Sequence, residues 1–61
     1  MCLSSVYYEE DGERRLVMER AAGIRTEDGR VTVEDILGRS ESLAGEIVSV
    51  DLMENVIVVR A

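Results

Sequence analysis

The chain predicts an all-β fold: a small antiparallel barrel of the SH3-like kind, built from five or six short strands. Three observations carry this. Two Asp-Gly pairs, Asp11-Gly12 and Asp28-Gly29, stand between apolar runs of strand length, the strongest short-range hairpin signal. The apolar residues recur in short β-branched stretches bounded by turn residues. There is no proline, and the glycines at 38 and 45 cut short the only stretch with helical character.

Taken in order, Cys2 to Tyr8 reads as a first strand and Glu9 to Glu13 as its acidic turn. A return strand runs from Arg14 to Arg20, with Leu16 and Met18 on one face and Val17 and Glu19 on the other. Ala21-Ala22-Gly23 is a place for the chain to bend. Ile24 to Glu27 and Arg30 to Ile36 form a second hairpin around Asp28-Gly29. Between Val33 and Leu43 at most one short helical turn fits. Glu46 to Leu52 alternates, with Val48, Val50 and Leu52 on one face. Met53-Glu54-Asn55 turns the chain into Val56-Ile57-Val58-Val59, a continuous apolar run of the kind buried on both faces. Such a strand is central to the barrel or lies at a dimer interface.

Sixty-one residues make a single domain, 1–61, with little material for a core. Phe and Trp are absent and the only aromatics are Tyr7 and Tyr8, so the expected core is aliphatic, without a large ring as anchor. One cysteine cannot form an internal disulfide. A chain 46% hydrophobic with so small a core is expected to pair with itself, most simply as a twofold homodimer.

Composition excludes several functions. Thirteen acidic residues against seven basic ones give a net charge of −6, the wrong sign for phosphate-backbone binding, so no nucleic acid partner is expected. No apolar run reaches the length of a membrane span. Acidic residues from Glu9 onward break any signal-peptide pattern. A lone cysteine suits a reducing compartment, and the expected location is cytoplasmic. Without histidine there is no Ser-His-Asp triad, no Cys-His pair and no histidine-ligated zinc; the glycines form no phosphate loop. The carboxylate pairs Glu9/Glu10 and Glu27/Asp28 read as solvated hairpin tips. No catalytic residue is expected, and the chain does not read as an enzyme.

Cys2 is the exception. Its thiol stands beside the α-amino group, whose positive charge favours the thiolate. With Met1 in place, the Met1 amine, the Cys2 amide nitrogen and the Cys2 sulfur can close two five-membered chelate rings on one ion. Two such ends brought together in a dimer could supply a square plane of nitrogen and sulfur, a geometry that suits Ni(II) or Cu(II). The bland alternative is that Cys2 packs as a small hydrophobe.

The sequence resembles the CooT family of nickel-binding accessory proteins for carbon monoxide dehydrogenase maturation. The likeness rests on Met1-Cys2, on Leu3 to Tyr8 with its acidic turn, and on Ile36-Leu37-Gly38. It extends through Leu43-Ala44-Gly45, Ile47 to Leu52 and Val56 to Val59. The resemblance implies a homodimer of small β-barrels with Cys2 as the nickel ligand, Ni(II) as the metal carried, and a nickel-enzyme precursor as client. Asp51 reads as a strand-end cap rather than a ligand. A more distant likeness is to HypC-type maturation chaperones, which also begin Met-Cys but carry a proline soon after, absent here. It implies an alternative in which the barrel docks on an enzyme precursor and Cys2 contacts that client.

Overall fold

The computed structural model describes residues 3–61, and over them the chain is all β, as the sequence predicts. Six strands, β1 (Ser4–Glu10), β2 (Glu13–Glu27), β3 (Arg30–Asp35), β4 (Ser40–Ala44), β5 (Glu46–Asp51) and β6 (Val56–Arg60), form one sheet in the order β4-β3-β2-β1-β6-β5.

The two Asp-Gly pairs make the two tight hairpins. Asp11 and Gly12 have φ of 54° and 78°, and Asp28 and Gly29 have 49° and 74°. Positive φ at both central residues is the turn type whose twist matches that of the flanking strands. The expected break at Ala21-Ala22-Gly23 is a bend within one strand. β2 pairs with β1 up to Ala21 and with β3 from there to Glu27, with the register shifting between Ala21 and Gly23. One long bent strand thus serves both halves of the sheet and folds one half over the other.

Strand alternation in β2 is also interrupted near Val17: Val6 pairs with Met18, but Tyr7 pairs with Leu16. An extra residue in one strand lets neighbours share a face. Val17 and Met18 therefore both pack against the core, while Leu16 is 45% exposed, which corrects the expected pairing of Leu16 with Met18. A similar shift between Ile47 and Ser49 in β5 leaves Ile47 against the core and Val48 and Val50 exposed.

The core is mostly aliphatic: Val6, Ala21, Val31, Val33, Leu43 and Val59. Its one ring is Tyr8, which corrects the expectation that no aromatic anchors it. Burying a tyrosine requires a partner for its hydroxyl, and the Tyr8 Oη–H donates to the Ala44 carbonyl at 2.7 Å. That bond ties β1, in the middle of the sheet, to the end of the edge strand β4. At the mouth of the barrel Arg15 lies over the same ring, 5.4 Å from its centroid.

β6 lies between β1 and β5, with Val59 in the core and Val58 buried on the alternate face beside Tyr7, in keeping with an apolar run covered on both sides. One neighbour pair, β1 with β6, is parallel, whereas the other four are antiparallel. The reason is the link at Gly45. Ala44 to Glu46 is no hairpin: it carries the chain from one edge of the sheet to the other, and the β5–β6 hairpin then docks beside β1. Glycine is required at this crossing. Gly45 has φ of 127°, its N–H donates to the Gly29 carbonyl at 2.8 Å, and a Cβ there would collide with the Arg60 carbonyl.

Gly45→Ala is therefore expected to cost about 2–4 kcal/mol through backbone strain and a forced shift of β6, read as a lower urea midpoint. Gly12→Ala, with no atom within 4 Å of the added carbon but the same positive φ, should cost less, about 1 kcal/mol.

Candidate metal-carrying end

The sequence-predicted ligands Met1 and Cys2 lie outside the described residues. What the structure gives is the base on which they are mounted. β1 is flanked on both sides from its first residues. Ser4 is opposite Ala21 of β2, Ser5 is opposite Val56 of β6, and the Ser5 N–H donates to the Asn55 carbonyl at 2.8 Å. Two strands thus clamp the chain immediately after Leu3.

The same end of the barrel carries two further turns. Asp35 closes β3 opposite Ala21, and Asp51 closes β5 opposite Val56, so the β3–β4 and β5–β6 turns project on either side of the start of β1. Both are built alike. Asp35 Oδ1 accepts the N–H groups of Leu37 and Arg39, each at 2.9 Å, and Oδ2 accepts Arg39 Nε–H at 2.7 Å. Asp51 Oδ1 accepts the N–H groups of Met53 at 3.0 Å and Glu54 at 2.9 Å. Such side-chain bonds to the backbone ahead replace turn bonds that the chain would otherwise lack. Asp51 is thus the cap that the sequence suggests.

Each Asp is followed by two large apolar residues held out into solvent: Ile36 and Leu37 are 57% and 77% exposed, Leu52 and Met53 82% and 91%. Beside the first turn an open groove of about 970 Å3 is lined by Leu16, Val17, Met18, Ile36, Leu37 and Arg39, among others. Sequence reasoning missed this surface. The signal available was the repeated order of Asp followed by two large aliphatics, at Asp35-Ile36-Leu37 and Asp51-Leu52-Met53.

The opposite end is charged. Across the outward face Arg14 and Arg60 both pair with Glu9, at 3.2 Å and 2.6 Å, and Glu46 stands opposite Arg60. Hydrogen bonds from Arg60 and then Arg14 hold the Glu9 carboxyl below its ordinary range. For Asp35, burial opposes ionisation, but the bonds from Arg39 and Leu37 together outweigh it, and its pKa is also lowered. Among the described residues no group of three or more carboxylate or thiol side chains is placed to hold a metal ion. Among the described residues no helix is long and apolar enough to cross a membrane.

A family model for the CO dehydrogenase accessory protein CooT matches residues 1–60, nearly the whole chain and including Cys2. The chain belongs to the CooT family. As a CooT protein it has an accessory role in CO dehydrogenase maturation. No curated protein matches this CooT chain. Membership rests on the full-length match, and the β-barrel with its clamped first strand is the scaffold that goes with it.

Both lowered carboxyls make stability depend on pH. The folded chain binds fewer protons at Glu9 and Asp35 than the unfolded chain, so their contribution is complete above the ordinary values of 4.5 and 3.8. It is lost as pH falls through the lower folded values. Urea midpoints measured from pH 7 to pH 3 should fall below pH 5, and fall less in Glu9→Gln/Asp35→Asn. Equal slopes for the two proteins would show that other groups carry the acid sensitivity.

Proposed function

We propose that this protein is a nickel-carrying accessory protein. As a homodimer it binds one Ni(II) between paired N-termini, through the Cys2 sulfur with nitrogen donors from the Met1 amine and the Cys2 amide. The nickel is cargo for a nickel enzyme such as CO dehydrogenase, and the working compartment is the cytoplasm. The observation that carries the reading is the family match, which runs through Cys2, the single soft ligand in a chain without histidine. A thiolate paired with amine and amide nitrogen favours a tetragonal ion, and the α-ammonium group lowers the cost of forming the thiolate.

The scaffold supports this in physical terms. A terminal ligand is useful only if its entropy is already reduced, because ordering it on binding costs about 1–2 kcal/mol for each backbone residue fixed. Here the strand directly behind the ligand is clamped by β2 and β6, so the backbone from Ser4 onward is already fixed by the fold. Transfer to a client also favours a ligand at a chain end, where a second protein can approach the ion from several sides. Copper binds more tightly than nickel to most sites of this composition, so selectivity rests on metal supply.

The test is a Ni(II) titration of the reduced protein, followed by thiolate-to-metal charge-transfer absorbance, with Cys2→Ser in parallel. The expected result is a band saturating at one nickel per two chains, absent in the variant. Removing a direct ligand is expected to cost more affinity than the roughly 10–100-fold that losing an outer-shell partner costs, with the β circular dichroism unchanged. Equal binding by the variant would overturn the assignment. Absence of a band, with a client captured in a Cys2-dependent but metal-independent manner, would favour the docking alternative.

A further inference from the structure

We propose that β5 is an edge to which an extended segment of another protein adds as a further strand, and that this segment carries lysine or arginine on either side of an apolar centre. The inference goes beyond the nickel reading and does not depend on it. β5 has β6 on one side only. Among the described residues, no backbone hydrogen bond joins Glu46 to Asp51 to any element but β6. An open strand edge offers a row of unpaired N–H and C=O groups, and proteins commonly blunt it with charge or cover it.

The other open edges of this sheet are blunted. β4, at the opposite edge, carries Glu41, and Arg30 reaches across to it, bonding the Ser42 hydroxyl at 2.9 Å and the Ser42 carbonyl at 3.4 Å. β2 lacks a neighbour on its β3 side before Ala21, but that stretch bears Glu13, Arg14, Arg15, Glu19 and Arg20. β5 has no comparable device. Its centre, Ile47-Val48-Ser49-Val50, holds no charge, and Val48 and Val50 are both exposed. The interruption between Ile47 and Ser49 bends this edge without covering it. Strand addition suits such a site, because main-chain bonds supply affinity and alternate side chains supply choice.

Charge decides what kind of strand fits. Glu46 and Asp51 close the two ends of β5, and both are exposed. Beside Glu46 lie Glu27, Asp28 and Arg30, and beside Asp51 lies Glu54 of the same turn. The cation opposite Glu46, Arg60, is engaged by Glu9 at 2.6 Å. A second copy is disfavoured here. Antiparallel pairing of two β5 strands over their whole length sets Glu46 of each against Asp51 of the other, and in-register parallel pairing sets like beside like. Like charges directly opposite one another destabilise a strand pair, whereas opposite charges stabilise it. The fitting partner is therefore a foreign strand with cationic ends.

The experiment uses the acetylated, amidated peptide Lys-Val-Thr-Val-Thr-Lys with the reduced, chelator-treated protein. Beside it run Glu-Val-Thr-Val-Thr-Glu and the cationic peptide N-methylated on its central residues, which keeps the side chains and charge but blocks strand pairing. Affinity is read by titration and location by amide hydrogen exchange. The cationic peptide should bind about tenfold more tightly than the acidic one and slow exchange within Glu46 to Asp51, and the N-methylated peptide should do neither. Glu46→Gln/Asp51→Asn should bind the cationic peptide several-fold more weakly with unchanged circular dichroism, since the amide oxygen at 51 can still accept the N–H groups of the turn.

Failure of the cationic peptide to protect β5, or protection of β2 or β4 in its place, overturns the proposal. So does equal binding of the acidic or the N-methylated peptide. Exchange in β5 that slows with protein concentration alone would mean a second copy takes this edge, and would also overturn it.

Discussion

Everything in this fold depends on the crossing at Gly45. Three residues, Ala44-Gly45-Glu46, take the chain from the β4 edge of the sheet to the β5 edge, and they do so pressed against the backbone of Arg60. Because the crossing is so short, the two halves of the sheet must face one another, and that confines the core to a layer of valines around Tyr8. The Tyr8 hydroxyl and the Gly29 carbonyl bind the two sides of the crossing. A longer loop would relax the angle between the halves and let water reach Val31 and Val33, which are now fully buried.

The small core explains the outward distribution of apolar side chains. A chain of this size must place some aliphatic residues on its surface, yet these are held in turns whose geometry is fixed by carboxylates. Asp35 is nearly buried and fully bonded, an investment that a solvated loop tip does not require. The ion pairs of Arg14, Glu9 and Arg60 are exposed and contribute little to stability. They matter more for where charge resides.

The all-β class, both Asp-Gly hairpins and the doubly covered Val58-Val59 segment were legible because their signals are local. Asp-Gly supplies positive φ, and an unbroken apolar run needs cover on both faces. The interruptions in β2 and β5 were not legible, since a bulge is decided by what lies across the sheet. For the same reason Leu16 could not be separated from Val17 and Met18 by alternation. β4, with the polar run Ser40-Glu41-Ser42, carries almost no strand signal and is a strand because β3 lies beside it. Tyr8 could be expected inside only if a hydroxyl acceptor 36 positions later were known. Of the candidate site, the sequence offered Cys2 and Met1; the apolar turns that flank the start of β1 emerge only from strand register.

The parallel pairing of the first and last strands has a consequence for synthesis. Contacts such as Glu9 with Arg60 join positions 51 apart in a chain of 61. Loop closure on that scale is slow compared with hairpin formation. A growing chain can form the β1–β2 and β2–β3 hairpins early, but β1 has no second neighbour until Val56 to Arg60 have been made. β1 therefore precedes every other strand in synthesis and is among the last to be flanked on both sides. β1 thus gains its full set of neighbours only when β6 has been made, and unfinished chains present a first strand paired on one side alone.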